Sequence, residues 1–333
     1  MELLVLTNKP ERASCRQRIG FYLDILRDSG INCKIVTFPS GILARLKLLK
    51  HGREFDAIFL QKKRLRFCDA IWMKRYCRKI IYDLDDAVMY NDKNPDRPSR
   101  KRLKSFERTI KLADMVIVGN VYLAEHARKF NPNVEILPTG LDVSAYNLRA
   151  APKNDGKIRL VWIGSKSTLK YLAEIKPALE RIGERFSNAI LRIICDDFFG
   201  LQNMKVEKHQ WQKDTEVVNL INSDIGLAPL PDDRFTRGKC GFKILQYAAA
   251  KLPVVASPVG VNAEYVCDGV TGFHAINTSQ WVDKISKLIE NAELRKRMGR
   301  EGPAKVKNFD IYVLGKRLLD LIVRALQNDE CSG

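Results

Sequence analysis

The chain has 333 residues, of which 45% are hydrophobic and 8% aromatic, and its formal net charge is +18. This composition excludes a disordered or fibrous protein and suffices for two domains that each bury a core. Residues 1–150 hold 29 Lys and Arg against 17 Asp and Glu, and such an excess favours a polyanionic partner: a nucleotide, an anionic lipid surface or a nucleic acid.

Short apolar runs alternate with amphipathic segments in the first half of the chain. The runs predicted as strands are Glu2 to Thr7, Cys33 to Phe38, Ala57 to Gln61, Lys79 to Asp83, Met115 to Val118 and Glu135 to Leu137. Helical spacing of apolar residues predicts helices in Arg18 to Asp28 and Ser105 to Ala113. This alternation predicts βαβ units around a buried parallel sheet. The basic clusters Lys62 to Arg66, Lys74 to Lys79 and Arg97 to Lys104, each taken singly, are expected to be solvated loops or helix faces.

A polar stretch with Pro and Gly, Ala150 to Lys157, is the predicted linker. The predicted elements after it are strand Arg159 to Gly164, helix Leu169 to Phe186, strand Ala189 to Cys195, helix Glu216 to Ile221, strand Ile225 to Ala228, helix Phe242 to Ala250 and strand Val254 to Ala256. Pro177 is expected to kink the long helix or move its start.

The predicted fold class is therefore α/β, with two Rossmann-like doubly wound domains at residues 1–150 and 151–308. Apolar residues in helical register from Asp310 to Leu326 predict a final helix, within residues 309–327, that packs on a domain surface. In doubly wound sheets, ligands bind at the carboxyl ends of the strands, so the cleft between two such domains is the expected site.

The segment Arg237 to Gly260 indicates an anion site. Gly238 and Gly241 permit close backbone approach, and the helix predicted from Phe242 directs N–H groups and a partial positive charge toward a ligand. Arg237, Lys239 and Lys243 add full positive charges at the same place. The alternative is a solvated basic turn that caps a buried helix.

Other sequence signals are negative. Eight scattered cysteines without a C-x-x-C pair or a His cluster indicate neither a zinc site nor a disulfide framework, so reduced thiols and a cytoplasmic location are expected. The N-terminus lacks a signal-peptide pattern, and no apolar run approaches the roughly 20 residues needed to span a bilayer. Any membrane contact is thus expected to be peripheral.

Several motifs together resemble the family 4 (group 1) glycosyltransferases of GT-B fold. The matching segments are Tyr82 to Ala87 (YDLDDA), Leu137 to Asp142 (LPTGLD), Leu160 to Ser165 (LVWIGS), Ala228 to Leu230 (APL), Gly241 to Tyr247 (GFKILQY), Leu252 to Ser257 (LPVVAS), Val259-Gly260 and Asp268 to Phe273 (DGVTGF). The resemblance covers nearly the whole chain, and it is specific only through the combination of motifs. It implies transfer of a sugar from a nucleotide-sugar to an acceptor, with retention of anomeric configuration and with the donor held chiefly by the second domain.

The resemblance and the anion motif nominate the donor-side residues, with Lys243 as the catalytic cation. The expected donor contacts are Gly164, Ser165, Ser167, Thr168, Lys170, Arg237, Lys239, Gly241, Phe242, Gln246 and Glu264. Similar enzymes carry an Arg and a Lys after the first strand of this domain, whereas here Ser165 stands where Arg is common, and an ordinary helix cap is the alternative for this turn.

Two family glutamates, separated by seven residues, correspond to Gly238 and Gln246. Gln246 is expected to contact ribose hydroxyls, and Asp232 or Asp233 to replace the first carboxylate. Glu264 matches a glutamate that follows the family's Gly turn, with a helix cap as its alternative.

On the acceptor side, Asp85 and Asp86 follow a predicted strand and are expected to orient or deprotonate the acceptor hydroxyl. The alternative is that they cap a helix or pair with nearby cations. Arg16 and Arg18 are expected either to bind an anionic acceptor or to face solvent. Neither a metal ion nor a cofactor is expected, because similar enzymes use side-chain cations and take the nucleotide-sugar as substrate.

The expected partners are a nucleotide-sugar donor, a glycan or lipid-linked acceptor, and an anionic membrane surface. A dinucleotide oxidoreductase is disfavoured because neither half shows G-x-G-x-x-G, and a nucleic-acid binder because no such motif occurs. The remaining alternative is a catalytically impaired nucleotide-sugar-binding or regulatory protein that lacks the family glutamates.

Overall fold

A computed structural model of the chain describes residues 1–148 and 155–327. The strands in this part of the chain are β1 (Glu2–Thr7), β2 (Asn32–Thr37), β3 (Ala57–Gln61), β4 (Ile80–Leu84), β5 (Met115–Val118), β6 (Val134–Ile136), β7 (Ile158–Ile163), β8 (Ala189–Ile194), β9 (Lys205–His209), β10 (Ile225–Ala228), β11 (Val254–Ala256) and β12 (Gly272–His274). The helices are α1 (Ala13–Arg18), α2 (Leu23–Asp28), α3 (Ile42–Lys50), α4 (Phe67–Tyr76), α5 (Arg100–Leu112), α6 (Val121–Arg128), α7 (Leu169–Glu174), α8 (Lys176–Arg185), α9 (Lys213–Ile221), α10 (Phe242–Ala249), α11 (Asn262–Tyr265), α12 (Thr278–Glu290), α13 (Ala292–Val306) and α14 (Ile311–Gln327).

The chain folds into two compact units, each built around one six-stranded sheet. Unit 1 contains Met1–Gly140, the short segment Asp233–Cys240 and the C-terminal segment from Phe309, whereas unit 2 contains Leu141–Asp232 and Gly241–Asn308. The predicted boundary at residue 150 falls among residues 149–154, which lie outside the described residues.

In unit 1 the parallel strands run in the order β2-β1-β3-β4-β5-β6. Alternate residues of each strand enter opposite layers of the core, because side chains project with a period of two. Leu4 and Leu6 pack under α3 to α6, while Leu3 and Val5 pack under α1, α2 and α14. The sheet is thus covered on both faces, as its continuous apolar strands predict.

Helix α14 returns to unit 1 and completes its second layer. Leu314, Leu318 and Ile322 are fully buried there in the same cluster as Ile19 and Leu26. The predicted helix from Arg18 to Asp28 is wrong as a single element, because α1 and α2 are separated by a 3₁₀ turn at Gly20–Tyr22.

Unit 2 repeats this architecture with the parallel order β12-β11-β10-β7-β8-β9. The predicted interruption of a long helix by Pro177 is confirmed, since α7 ends at Glu174 and α8 begins at Lys176 with the proline in its first turn. The edge strand β9 was not predicted, because its alternating polar sequence KVEKH lacks an apolar run. Together the two parallel sheets with flanking helices confirm the predicted α/β class with two Rossmann-like units.

Candidate functional site

The sheet of unit 2 opens between β7 and β10. Chain connections leave β7 toward β8 on one side and reach β10 on the other, so this is the topological switch point of the sheet, where open α/β sheets bind ligands. The pairing of the two strands ends at Gly226 opposite Val161. Beyond that point Tyr247 of α10 bridges them: its hydroxyl accepts the N–H of Ile163 and donates to the carbonyl of Leu227, both at 3.1 Å.

The same bridge brings α10 against the end of β7. The ring of Tyr247 packs on Gly226, where an added Cβ would lie 2.5 Å from it, so a side chain at this position would displace the helix. One turn earlier in α10, the ammonium of Lys243 lies 4.5 Å from the centre of the Trp162 ring, a cation–π distance. The edge of that buried ring lies against Gly164, where an added Cβ would meet it at 2.4 Å. The helix start, Lys243 and the Gly164 turn are therefore brought together at the switch point.

Helix α10 begins at a glycine whose conformation other residues rarely adopt. Gly241 is its N-cap with φ +63°, and an added Cβ would approach Val261 and Tyr265 within 2.9 Å. Phe242 then opens the helix without an acidic residue in the first turn. A helix start of this kind offers backbone N–H groups and partial positive charge to an anion.

The turn after β7 is organised by its own hydroxyl groups. The N–H of Ser165 donates to Oγ1 of Thr168 at 3.1 Å, and the hydroxyls of Ser165 and Ser167 lie 3.0 Å apart. Ser165 and Ser167 are exposed at the surface of the unit. The turn is thus a capping box, as the alternative interpretation holds, and its hydroxyls still face solvent at the switch point.

Two cations near this turn, Lys166 and the predicted donor contact Lys170, have protein partners. Lys166 pairs with Asp197 at 3.1 Å, and both side chains are largely exposed. The ammonium of Lys170 lies 5.1 Å from the Tyr171 ring. Glu264 lies on the short helix α11 and is exposed.

Gln246 is placed differently from its predicted role as a ribose contact. Its side chain is only 3% exposed, and its amide donates to Oε1 of Glu216 at 2.7 Å. The other carboxylate oxygen of Glu216 accepts from the indole N–H of Trp211. Glu216 of α9, which the sequence did not nominate, is thus the carboxylate that the Gln246 side chain meets.

Unit 1 has a second polar centre at its own switch point, between β1 and β3. A chain of hydrogen bonds links the ends of β1 and β3 to the end of β4. Thr7 donates to Gln61 at 2.9 Å, Gln61 donates to Ser14 at 2.8 Å, and Ser14 donates to Asp85 at 2.8 Å. The chain ends at Oδ2 of Asp85, directly after β4. Asp85 therefore lies at the carboxyl edge of this sheet, as the sequence predicts.

Lys62 occupies the middle of this centre with an unusual backbone. It follows β3 with φ +56°, a left-handed conformation that costs non-glycine residues energy and persists where surrounding contacts enforce it. Its ammonium lies 3.2 Å from Oδ1 of Asp85 and also pairs with Asp86. The expectation that the Lys62 to Arg66 cluster is a solvated face is wrong for Lys62, whose side chain is 24% exposed and is held by two carboxylates.

Asp86 has a second cation partner, Lys239, at 3.0 Å. Burial acts to raise the pKa of Asp86, but Lys239 and Lys62 outweigh it and lower the pKa to about 2. The alternative interpretation, pairing with nearby cations, thus describes Asp85 and Asp86. At neutral pH Asp86 is a carboxylate with very low proton affinity, which suits an acceptor of hydrogen bonds better than a base.

Lys239 belongs to unit 1 because the segment Asp233–Cys240 is anchored there. Its backbone carbonyl accepts from Asn120 at 3.0 Å, and the Cys240 thiol donates to the carbonyl of Asp85 at 3.2 Å. Arg237, in the same segment, is exposed, whereas Lys243 lies in unit 2. The three cations of the predicted anion motif are therefore divided between the two units.

The same segment shows why the family's first carboxylate is missing. Gly238 is packed on Ala87, and an added Cβ would lie 2.7 Å from the Cβ of Ala87, so this backbone leaves no room for a glutamate. Asp233, one of the two predicted replacements, caps a 3₁₀ turn: its carboxylate accepts from the N–H groups of Phe235 and Thr236 at 2.7 and 2.8 Å.

The prediction for Arg18 is wrong. Its guanidinium is buried, donates to Asp83 at 2.5 Å and to the carbonyl of Leu137 at 2.6 Å, and is 1% exposed. Arg18 therefore ties three elements of the unit together and reaches neither an acceptor nor solvent. Arg16, two residues earlier, is partly exposed.

Sequence patterns could have signalled some residues that were missed. Ser14, Gln61 and Lys62 follow or end strands at the switch point, a position that predicts function once the strand order is known. Across residues 1–148 and 155–327, no group of three or more His, Cys, Asp and Glu side chains is arranged to hold a metal ion.

Residues 147–305, just under half of the chain, match the family model of the glycosyl transferases group 1. This match covers the unit 2 residues that surround the switch point. The matched residues are thus a glycosyltransferase group 1 domain, which agrees with the predicted enzyme class.

Solved structures of low sequence identity share this fold over almost the entire chain. Anabaena HepE, solved in complex with UDP and glucose, is 17% identical with a TM-score of 0.75, covering 97% of this chain and 100% of its own. Sucrose-phosphate synthase from Thermosynechococcus elongatus is 12% identical with a TM-score of 0.77, at coverages of 98% and 100%. WaaG, a glycosyltransferase involved in lipopolysaccharide biosynthesis, is 14% identical with a TM-score of 0.71, at coverages of 96% and 99%.

Two further findings are negative. A search of curated protein sequences found no match to this chain. Among the helices of the described residues, none combines the length and apolar character needed to cross a membrane.

Proposed function

We propose that this enzyme is a family 4 glycosyltransferase that moves a sugar from a nucleoside-diphosphate sugar to an acceptor, with retention of configuration and without a metal ion. The proposal is carried by one observation: Lys243 and the start of α10 converge with the Gly164 turn on the buried ring of Trp162, at the switch point of the unit 2 sheet. This arrangement offers a cation, a helix start and surface hydroxyls to one ligand.

A diphosphate is the ligand that these groups suit. When the bond between sugar and diphosphate breaks, negative charge grows on the departing phosphate oxygen. The ammonium of Lys243 is held close to the strand ends by its contact with Trp162, so it needs little reorganisation to stabilise that charge. Ser165, Ser167 and Thr168 add hydroxyl donors, and Gly241 lets the phosphate approach the helix start closely.

Uracil is the base that we propose for the first donor to be tested. Two of the structures similar to this chain are complexes of HepE, one with UDP and glucose and one with UDP-glucose. The match in fold over nearly the full length supports UDP-sugars as the donor class, with other nucleoside diphosphates as comparison ligands.

The unit 1 centre is the proposed acceptor side. Asp85 and Asp86 orient the acceptor hydroxyl, and the low pKa of Asp86 argues against its serving as the base. We therefore propose that the departing diphosphate receives the acceptor proton, which is consistent with retention by attack from the same face as the leaving group. Lys62 and Lys239 act as positioning residues that hold the two carboxylates.

Surface polysaccharide or glycolipid synthesis is the proposed setting. The strongly basic first half of the chain suits an acceptor carried at an anionic membrane, and the fold shared with WaaG supports the same assignment. The enzyme would then act from the cytoplasmic side as a peripheral protein.

Substitution of Lys243 tests the catalytic proposal. We expect Lys243→Ala to lower turnover of UDP-sugars at least about a hundredfold, as the loss of one charge-stabilising group does elsewhere, and Lys243→Arg to restore part of it. Lys305→Ala, an exposed change on α13, is the matched control. UDP release measures turnover, and the thermal shift caused by UDP reports on folding and binding. Unchanged turnover in Lys243→Ala would remove this residue from the mechanism.

Metal independence is tested in the same assay. UDP binding and turnover are expected to persist in EDTA, because side-chain cations neutralise the diphosphate. A strict requirement for Mg²⁺ or Mn²⁺ would instead assign metal binding to the carboxylates after β4.

Two observations favour a second candidate function, nucleotide-sugar binding without transfer. Gly238 leaves no room for a carboxylate, and Gln246 is engaged with Glu216. A UDP-dependent thermal shift without UDP release, across a panel of UDP-sugars and lipid acceptors, would support a binding or regulatory protein.

A further inference from the structure

The exposed face of helices α4 and α5 in unit 1 combines apolar side chains with cations. The two helices are anchored in the same core layer through Met73, Phe106 and Ile110. A surface groove of about 500 Å³ runs between them, and we call this surface the α4–α5 face. The residues that define it are Phe67, Ile71, Lys74, Lys104, Arg108 and Lys111.

Large apolar side chains project from this face into solvent. Phe67 is 65% exposed and Ile71 is 49% exposed. Phe67 and Ile71 are four residues apart, so they project from the same side of α4. Grouped exposure of this kind, rimmed by charge, marks a surface that contacts a partner.

The charge around these side chains is predominantly positive. Helix α5 carries Arg100, Lys101, Lys104, Arg108 and Lys111 on its outer side, and its acidic residue Glu107, which also lines the groove, is paired with Lys111 at 2.7 Å. Helix α4 adds Lys74 and Arg75, while its acidic residue Asp69 is buried and paired with Arg45 at 3.0 Å. The cations of this face are therefore offset at the surface by a single carboxylate among the residues of the two helices.

We propose that the α4–α5 face docks on an anionic lipid bilayer. The apolar side chains of Phe67 and Ile71 would enter the boundary between headgroups and acyl chains, while the surrounding Lys and Arg contact acidic phosphates. The guanidinium of Arg108 lies 5.7 Å from the Phe67 ring, so a cation and an apolar side chain lie side by side on this face.

Other polyanions fit this face less well. A nucleic acid would gain electrostatic attraction and a stacking surface on Phe67, but the exposed aliphatic side chain of Ile71 offers it neither stacking nor base-edge hydrogen bonds. The proposal locates the membrane contact expected for this protein and does not depend on sugar transfer, because vesicle binding is measured without donor.

Cosedimentation with vesicles tests the proposal. We expect the full chain to bind vesicles that contain phosphatidylglycerol but not vesicles of pure phosphatidylcholine. Binding should weaken as the salt concentration increases. The paired substitutions Phe67→Ser with Ile71→Ser, and Lys101→Glu with Lys104→Glu, should each lower the partition coefficient at least about tenfold, given the contributions of buried apolar area and of single charges at a membrane.

Matched controls carry equivalent changes elsewhere. Tyr312→Ser with Val313→Ser removes two exposed apolar side chains from α14, and Lys205→Glu with Lys208→Glu reverses two exposed charges on β9. Both control pairs should bind vesicles like the unchanged protein. Thermal midpoints of all variants report on folding, and UDP-dependent thermal shifts should be the same in all of them.

Depth of insertion gives an independent measurement. Phe67→Trp should show emission that is quenched by brominated phosphatidylglycerol, relative to the unchanged protein. The proposal would be overturned by any one of three results: absence of quenching, full vesicle binding by both α4–α5 face variants, or a preference for duplex DNA over acidic vesicles at physiological salt. A failed vesicle test with normal UDP-sugar turnover would leave the proposed enzymatic function intact.

Discussion

Replacement of Tyr247 by phenylalanine removes one oxygen atom from the interior of unit 2. Tyr247 is fully buried, and its hydroxyl closes the gap between β7 and β10 through Ile163 and Leu227. Phenylalanine keeps the ring that packs on Gly226, so the variant isolates the role of the hydroxyl. Two backbone groups, one N–H and one carbonyl, lose this hydrogen-bond partner.

The expected loss of stability follows from burial. Ile163 is 4% exposed and Leu227 is fully buried, so water does not readily replace the hydroxyl. A buried polar group without a partner costs about 1–3 kcal/mol, and the two groups together, less the desolvation of the lost hydroxyl, give about 2–4 kcal/mol. Because the bridge also holds α10 at the end of β7, the affinity for UDP should fall about tenfold with it.

Urea unfolding monitored by tryptophan emission measures this loss. Trp162, on β7 itself, is fully buried and reports on unit 2. Hydrogen exchange of a peptide that contains Ile163 gives the local effect, since its amide is expected to lose protection. Tyr312→Phe, at a side chain that is 62% exposed, is the control. A loss of unfolding free energy below about 0.5 kcal/mol for Tyr247→Phe would instead be typical of a surface change. That result would refute the claim that the Tyr247 hydroxyl holds the ends of β7 and β10 together.

Three further predictions concern backbone conformation, a buried ion pair and acid stability. Gly241→Ala should lower the free energy of unfolding, measured in urea, by about 1–3 kcal/mol, because the cost of the left-handed conformation and the cost of the close Cβ contacts add. Gly269→Ala, with φ +76° and open space around it, should show only the cost of the left-handed conformation. Asp83→Asn should cost about 3–5 kcal/mol by leaving the Arg18 charge buried, and the double variant with Arg18→Met should recover part of this in a double-mutant cycle; additive losses would argue against coupling. The pKa of Asp86 is lowered in the folded state, so its ionised carboxylate stabilises the protein above the unfolded pKa, and this stabilisation is lost as pH falls toward about 2. Asp86→Asn should therefore lower the free energy of unfolding by about 2 kcal/mol at neutral pH, and this loss should shrink between about pH 4 and pH 2. A loss that does not depend on pH would contradict the lowered pKa of Asp86.

The sequence by itself determined the fold class and the placement of most strands. Apolar runs such as Glu2 to Thr7 and Ile225 to Ala228 agree with the observed strands, because parallel strands buried on both faces must be apolar throughout. Pro177 marked a helix start because it lacks an N–H and has a fixed φ, which are local properties. The edge strand β9 escaped prediction because one of its sides has no strand neighbour and its residues alternate.

Only the tertiary structure decided what the charged residues do. Arg18 and Lys62 are both cations that follow or precede apolar segments, yet one is buried against Asp83 and the other bridges Asp85 and Asp86. Lys239 and Lys243 are four residues apart, yet they belong to different units. The partner of a charge is set by strand order and by contacts distant in sequence, and the free energy of an ion pair depends on burial and distance, neither of which is encoded in local composition.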